Sequence, residues 1–341
     1  MQRFKNILVV CDENSNADWA VDCARDLAIK NGGRLTLIDV VDFEKADISD
    51  ILVGLNMDTA LQLQNEIFQH HHLRLKAMAD ELQEEGLQVT ASVVNGLPFV
   101  EVVKAVILQQ HDLVIKASDW HASASLTVAP GLDSHLIRKC PCPVWIINQP
   151  LPKRGARIMA AIDPAETGMA NSRTLNQEIM NCAVSATARH QGELRVFHAW
   201  SLQEESALLE SQLIKTSPGE YASISTRKRT LRAKQLRQIV SAQTDRSTSC
   251  KVHLHRGNAS EAVPAFAQAN RIDLLVMGSV TRTDVTGFFI GNTAEGIFNR
   301  ITCSVLALKP KGFRSPLVEA TSVPGGAAKQ RPVRSAVKVG S

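Results

Sequence analysis

Apolar runs typical of buried strands recur in the same order in both halves of this chain. The first half opens on a run that ends in Asp12, and the second half opens on a run that ends in Asp163, 151 residues later. Further along, Asp112 and Asp273 each head a fourth apolar run. A repeat of this length predicts two whole domains rather than a solenoid of short units.

Segments with helical periodicity separate the apolar runs, and this alternation predicts a parallel sheet covered by helices on both faces. The continuously apolar run Leu8–Val10 is typical of a central strand that is buried on both faces. We therefore predict an α/β fold of two tandem, doubly wound parallel sheets, each with five strands in the order 3-2-1-4-5. Such sheets bind ligands beyond the carboxyl ends of their strands. The helical segments of the first half are predicted at 20–29, 61–85, 99–109 and 133–139.

The predicted domains span residues 1–149 and 156–310, with a short proline-containing linker between them. The polar segments 42–60 and 201–225 occupy equivalent places and are predicted to be loops or broken helices. Residues 311–341 carry six basic and one acidic side chain and lack apolar periodicity, so we predict a disordered basic tail.

Composition favours a cytoplasmic protein without membrane contact. The chain is 44% hydrophobic and 21% charged, as is typical of globular domains. No apolar stretch approaches the roughly 18 residues of a membrane helix, and the amino terminus runs directly into a predicted strand. The seven cysteines form no paired framework, which favours a reducing compartment.

One cluster in the second half has the chemistry of a nucleotide site. The fourth strand ends at Gly278, and Gly291, Asn292 and Thr293 open a helix thirteen residues later. Glycines admit a phosphate close to the backbone, while a hydroxyl and free amides at a helix start can bind it. Asp163 is expected at the same edge, where it could accept a hydrogen bond from adenine or ribose. A turn or helix cap is the equal alternative for Asp163, and a cap is favoured for Asp12.

The spacing of Gly278 and Gly291-Asn292, with the opening Ile-Leu-Val-x-x-Asp at residues 7–12, resembles the universal stress protein family. The likeness extends over residues 4–310 and is to members with two tandem domains. It implies the adenine nucleotide alpha hydrolase-like fold and a regulatory or protective role in survival of stress, including DNA damage. It also implies that the two domains pair through their fifth strands as an intramolecular pseudo-dimer, and it leaves a homodimer open.

The same family contains members that bind ATP and members that do not, and this sequence departs from the binding pattern. Thr281 replaces the second glycine of the motif, and in the first half Ala117 and Trp120 stand at the two glycine positions. We predict that Trp120 fills the first pocket. For the second half, two interpretations stay open: glycines that serve turns and helix packing alone, or an ATP site.

No other group of residues predicts catalysis or a metal site. Three consecutive histidines, His70–His72, point about 100° apart on a helix and cannot converge on one ion. The basic run Arg227–Arg229 lacks interleaved aromatic residues, so a nucleic-acid role is not expected. No nucleophile and base recur at strand ends, which predicts a non-enzyme. The sequence therefore predicts a stress-response protein that acts through an unknown protein partner or small ligand, or alternatively a nucleotide sensor that uses its second domain.

Overall fold

The computed structural model describes residues 1, 4–13, 15–119, 131–164, 170–201, 218–244, 249–282, 288–290 and 292–317. The chain divides into two compact units. The first unit consists of Met1–Pro150 together with a segment that begins at Phe313, and the second consists of Leu151–Gly312. Among the helices of the described ranges, none is long and apolar enough to cross a membrane.

The first unit has a five-stranded parallel sheet in the order β3-β2-β1-β4-β5, which confirms the predicted strand order. Helices connect the strands, as the alternating pattern predicts. Its elements are β1 (Asn6–Val10), α1 (Ala17–Asn31), β2 (Arg34–Val41), α2 (Ala46–Val53), α3 (Met57–Glu84), β3 (Gln88–Asn95), α4 (Pro98–Gln109), β4 (Leu113–Ala117), α5 (Leu132–Lys139) and β5 (Val144–Ile147).

The second unit repeats this order as β8-β7-β6-β9-β12, again with parallel neighbours. It adds a small antiparallel pair, β10 and β11, that the repeat did not predict. Its elements are β6 (Arg157–Ala161), α6 (Ala170–Arg189), β7 (Glu193–Trp200), α7 (Pro218–Gln243), β8 (Cys250–Arg256), α8 (Ala259–Ala269), β9 (Leu274–Gly278), β10 (Val280–Arg282), β11 (Phe288–Ile290), α9 (Asn292–Phe298) and β12 (Ser304–Leu308).

The aspartates that precede the fourth strands join the starts of two neighbouring strands at the amino-terminal edge of each sheet. Asp112 accepts hydrogen bonds from the backbone N–H groups of Lys5 (2.8 Å) and Asn6 (3.1 Å), where β1 begins. Asp273 accepts one from the N–H of Arg157 at 2.7 Å, where β6 begins. These two repeated acids are therefore structural, since each satisfies backbone donors at a strand start.

A repeated glycine before the second strand allows two backbone segments to approach closely. A Cβ on Gly33 would lie 2.9 Å from the carbonyl oxygen of Lys5, and one on Gly192 would lie 2.0 Å from that of Ala156. Both contacts are far shorter than a side chain tolerates, and the neighbouring atoms belong to the backbone. Only glycine fits these two positions without a shift of the sheet.

The structure bears on two predictions about irregular segments. The range 42–60 is a broken helix, one of the two predicted forms, because it holds α2 and the first turn of α3 with a break at 54–56. In the counterpart 201–225, residues 202–217 lie outside the described residues. The tail predicted from residue 311 begins with a packed piece, because Phe313 is only 8% exposed and Ser315 only 1%. Residues 318–341 lie outside the described ranges.

Candidate functional site

Asp163 lies two residues beyond the end of β6, at the carboxyl edge of the second sheet. Its side chain is 51% exposed, and its carboxylate lies 3.9 Å from Nδ1 of His198. Its backbone carbonyl accepts a hydrogen bond from the side chain of Asn176 in α6 at 2.8 Å. The Asp163 carboxylate is therefore presented at the edge where doubly wound sheets bind ligands.

Gly278 ends β9 at the same edge and serves packing there. A Cβ at this position would lie 3.0 Å from Cδ2 of Leu175, a side chain of α6. The next residue, Ser279, donates its backbone N–H to the carbonyl of Leu308 at 3.0 Å. A side chain at position 278 would require Leu175 to shift slightly, so helix packing favours a glycine there.

The remaining motif residues are described only in part. Asn292 and Thr293 form the exposed start of the seven-residue helix α9. Thr281 lies in β10 and pairs with Phe289 of β11, and it is not among the described non-glycine residues with positive φ. A glycine is therefore not required for backbone conformation at Thr281. Gly291 and Trp120 lie outside the described residues.

His198, near the end of β7, contributes a buried acceptor that the sequence did not single out. Its Nδ1 lies 3.0 Å from the carbonyl of Ile162, so Nδ1 carries the hydrogen and donates. Its Nε2 is then an acceptor, and among the described residues this buried atom has no hydrogen-bond partner. Burial lowers the pKa of His198, the positive charges of Arg232 and Lys228 lower it further, and Asp163 opposes them.

In the first unit, a buried lysine occupies the corresponding crevice. The Nζ atom of Lys116 lies 3.1 Å from a carboxylate oxygen of Asp12 and 3.1 Å from one of Asp133, and it also contacts the carboxylate of Asp119. It donates a further hydrogen bond to the carbonyl of Ala117 at 2.8 Å. The Lys116 side chain is fully buried. Asp12, for which a helix cap was favoured, is instead a partner of this ammonium group.

The charges of this cluster do not balance. Burial alone would lower the pKa of Lys116, but the carboxylates of Asp133, Asp119 and Asp12 outweigh it and raise the pKa. Burial and the neighbouring Asp133 raise the pKa of Asp119 to about 6, although Lys116 opposes the shift. Among the described residues, one ammonium group therefore faces three carboxylates at neutral pH, and a net negative charge of this kind repels phosphates.

A second ion-pair cluster lies beside the first, at the end of β2. Asp39 is almost fully buried and binds Nδ1 of His71 at 2.7 Å and a guanidinium nitrogen of Arg74 at 2.6 Å. Arg74 also donates to the carbonyl of Cys11. His70 is largely exposed, and the rings of His70 and His71 both approach the Glu13 carboxylate, at 3.4 Å and 3.6 Å. Within the described ranges, no three His, Cys, Asp or Glu side chains are placed to hold a metal ion.

Strand register shows that charged side chains of the first crevice are replaced by uncharged ones at equivalent positions of the second. Val10 pairs with Lys116 in the first sheet, and Ala161 pairs with Met277 in the second. Likewise, Asp39 follows the β1 partner Ile38, and His198 follows the β6 partner Phe197. An ammonium and a carboxylate in the first unit thus correspond to a thioether and a neutral imidazole in the second.

The parallel five-stranded sheets, with polar side chains at their carboxyl edges, define a doubly wound α/β protein of two repeated units. The family model described as "Universal stress protein family" matches residues 3–148 and 157–309, which are nearly all of both units. The chain therefore belongs to the universal stress protein family, a family of stress-response proteins.

Relatives and solved structures agree with this assignment. Universal stress protein E of Salmonella typhi is 26% identical over 321 residues, which cover 93% of this chain and 98% of that protein. Its Haemophilus influenzae homolog is 23% identical and covers 90% and 98%. A universal stress protein structure from Pseudomonas aeruginosa matches with a TM-score of 0.67 at 22% identity, over 91% of this chain and 94% of that one. These likenesses confirm the predicted tandem family architecture.

Proposed function

We propose that this chain is a cytoplasmic stress-response protein that acts by binding, without catalysis, and that its ligand crevice lies in the second unit. The observation that supports this proposal is that Met277 in the second unit stands at the strand position that Lys116 holds in the first. In the first unit the crevice is occupied by a side chain and its three carboxylates. In the second unit Met277 and Val280 stand at the positions of Lys116 and Asp119, while Asp163 stands at the position of Asp12.

The polar groups of the second crevice fit an anionic ligand that also has hydrogen-bond donors. Nε2 of His198 and the exposed carboxylate of Asp163 are acceptors. Lys228 and Arg232 of α7 provide positive charge close enough to lower the pKa of His198. A nucleotide combines negative phosphates with amino and hydroxyl donors, so ATP or a related nucleotide is the ligand class we propose.

We propose a non-catalytic role because of the raised pKa of two buried thiols and the hydrogen bonding of His198. Burial is the main cause that raises the pKa of Cys11 far above its usual range and that of Cys303 to about 12. Thiols in this state are poor nucleophiles. His198 is next to a carboxylate, but its Nδ1 faces a backbone carbonyl rather than a nucleophile.

Equilibrium dialysis with labelled ATP tests the ligand site, using the unaltered chain, Asp163→Ala and His198→Leu. We expect saturable binding at one site per chain and at least about tenfold weaker binding by each variant, since each loses an acceptor. The matched control is His70→Leu, which removes an exposed histidine of the first unit and should leave binding unchanged. Equal binding by all four proteins would contradict this location of the site. Multiple turnovers of ATP hydrolysis would contradict the non-catalytic role.

A second candidate is a protein that acts through a partner alone, without a nucleotide. The close approach of α6 to Gly278 favours it, because Leu175 would have to shift if position 278 carried a side chain. No detectable ATP binding, together with a protein recovered specifically from stressed cells, would favour this candidate. The pairing of the two domains through their fifth strands remains a proposal from family resemblance in either case.

A further inference from the structure

Two thiols of the first unit lie against each other between the end of α5 and the start of β5. The Sγ atoms of Cys140 and Cys142 are 3.5 Å apart, within the distance of a thiol–thiol hydrogen bond. Each of the seven cysteines of the chain is in the reduced, thiol form. A disulfide bond is about 2.05 Å long, so its formation requires these two sulfur atoms to approach by about 1.5 Å. The pair is therefore a candidate for oxidation within the chain.

The backbone on both sides of the thiol pair is held by hydrogen bonds. The N–H group of Cys140 donates to the carbonyl of Leu136 in α5 at 3.0 Å. The carbonyl of Pro143 accepts from the N–H group of Val114 in β4, also at 3.0 Å. Between them, the ring of Pro141 restricts the φ angle. Because helix and sheet anchor the two ends of this short segment, the thiols are kept close together, which favours reaction between them.

Strand register identifies the matching positions in the second unit. Residues counted back from the paired strands β5 and β12 place Cys303 at the position of Cys142, and Ile301 at that of Cys140. Cys303 is 4% exposed and Cys142 is 8% exposed, so the two thiols are similarly buried. The pair of thiols is thus a property of the first unit, and Cys303 is a natural control within the same molecule.

We propose that Cys140 and Cys142 form a reversible disulfide when the protein meets a peroxide. Cys142 reacts first, because it retains some exposed surface whereas Cys140 has none. With hydrogen peroxide, the Cys142 thiolate attacks one oxygen, the O–O bond breaks, and the released hydroxide takes the proton of the thiol and leaves as water. The product is a sulfenic acid. The Cys140 thiolate then attacks the Cys142 sulfur, the S–O bond breaks, and a second water leaves in the same way.

The balance of this reaction is that two thiols and one hydrogen peroxide give one disulfide and two water molecules. A thiol reductant reverses it by exchange, through a mixed disulfide, and two reductant thiols become one reductant disulfide. In a reducing compartment, disulfides are usually transient and redox-sensing, which agrees with the compartment that the cysteine content favours. The first unit therefore contains an oxidation-sensitive site that is independent of the proposed nucleotide crevice.

Peptide mapping after oxidation tests this proposal on the unaltered chain. The native protein is treated with hydrogen peroxide, unfolded in acid, alkylated and digested with trypsin. Both thiols of the pair fall in the peptide 140–153, whereas Cys303 falls in the peptide 301–311, and neither peptide contains another cysteine. We expect the peptide 140–153 to lose two hydrogen atoms in mass and to resist alkylation until dithiothreitol is added. Its thiols should react at least about tenfold faster than Cys303, since burial and a pKa raised to about 12 make Cys303 unreactive.

Serine variants separate the roles of the two thiols. Cys142→Ser leaves the buried Cys140, which should react at least about tenfold more slowly than the unaltered pair. Cys140→Ser should form no disulfide within the chain, and its Cys142 should accumulate a sulfenic acid that dimedone traps. The matched control Cys303→Ser should form the disulfide as the unaltered chain does, and thermal melts check that all three variants fold.

Three results would overturn the proposal. The first is a peptide 140–153 that remains fully alkylated up to the peroxide concentration that oxidises Cys303. The second is a disulfide that joins two chains instead of the two thiols of one chain. The third is a stable sulfenic or sulfinic acid on the unaltered protein without a disulfide, because the second thiol would then fail to react with the first.

Discussion

Replacement of Lys116 by methionine tests whether the first crevice is held closed by its buried ammonium group. Methionine is the residue at the equivalent position of the second unit, so its shape is compatible with this strand. The change removes the Lys116 ammonium group, which contacts the carboxylates of Asp12, Asp119 and Asp133. Three carboxylates would then face each other in a partly buried crevice without the Lys116 ammonium group.

The size of the effect follows from burial. Lys116 is fully buried, and removal of one partner from a buried ion pair typically costs about 3–5 kcal/mol, because the other charge is left uncompensated. We expect that loss in the free energy of unfolding at pH 7.5. The loss should be smaller at pH 5, since the Asp119 carboxyl, whose pKa is already raised to about 6, then binds a proton and relieves the repulsion.

Urea denaturation at both pH values, followed by circular dichroism, measures this loss. The matched control is Lys104→Met, which removes a half-exposed lysine that pairs with Glu101 at 2.6 Å. An exposed pair contributes about 0–1 kcal/mol, so the control should remain close to the unaltered protein. The reasoning is refuted if Lys116→Met loses no more stability than Lys104→Met, or if its loss does not shrink at pH 5.

Three further predictions concern the same scaffold. The folded-state pKa of Asp119 is raised from 3.8 to about 6, so folding favours the protonated carboxyl, and this contribution to stability is lost as the pH rises through 6. Asparagine resembles the protonated carboxyl and does not titrate. Asp119→Asn should therefore be about 1–3 kcal/mol more stable than the unaltered chain in urea denaturation at pH 8, with no gain at pH 3.5. Gly192→Ala should cost at least about 1–3 kcal/mol because its Cβ would meet the Ala156 carbonyl at 2.0 Å, whereas Gly54→Ala, whose nearest neighbour lies at 3.5 Å, should be nearly neutral; equal melting temperatures would contradict the close approach. A chain ending at Gly312 should lose about 1.5–3 kcal/mol relative to one ending at Leu317, because Phe313 is 8% exposed; equal stability in denaturation would show that the segment is dispensable.

The strands were predictable because burial on both faces leaves a strong signal in the sequence. Runs such as Leu8–Val10 have no polar interruption, and their repetition in order identified two sheets before any contact was known. The position of Asp163 followed from the same pattern, since an acid that ends a first strand must lie at the carboxyl edge. The antiparallel pair β10–β11 was missed, because two three-residue strands are too short for periodicity to show.

The lysine cluster could not be predicted, because its partners are scattered along the chain. Lys116 reads as one polar interruption of an apolar run, and Asp12 and Asp133 stand more than a hundred residues apart in sequence. Only the pairing of β1 with β4 brings Asp12 beside Lys116. The signal for His198 was present but weak, since it became informative only when strand register aligned it with Asp39.

The division of the first unit into two sequence segments affects how the protein is made. Its main part ends at Pro150, but the segment that begins at Phe313 leaves the ribosome only after the intervening second unit. At about 5–20 residues per second, synthesis of that unit takes roughly 8–30 seconds. For this interval the nascent first unit lacks the piece that contains the buried Phe313 and Ser315. A stop codon anywhere in the second unit would thus leave the first one unfinished as well, which makes both units sensitive to premature termination.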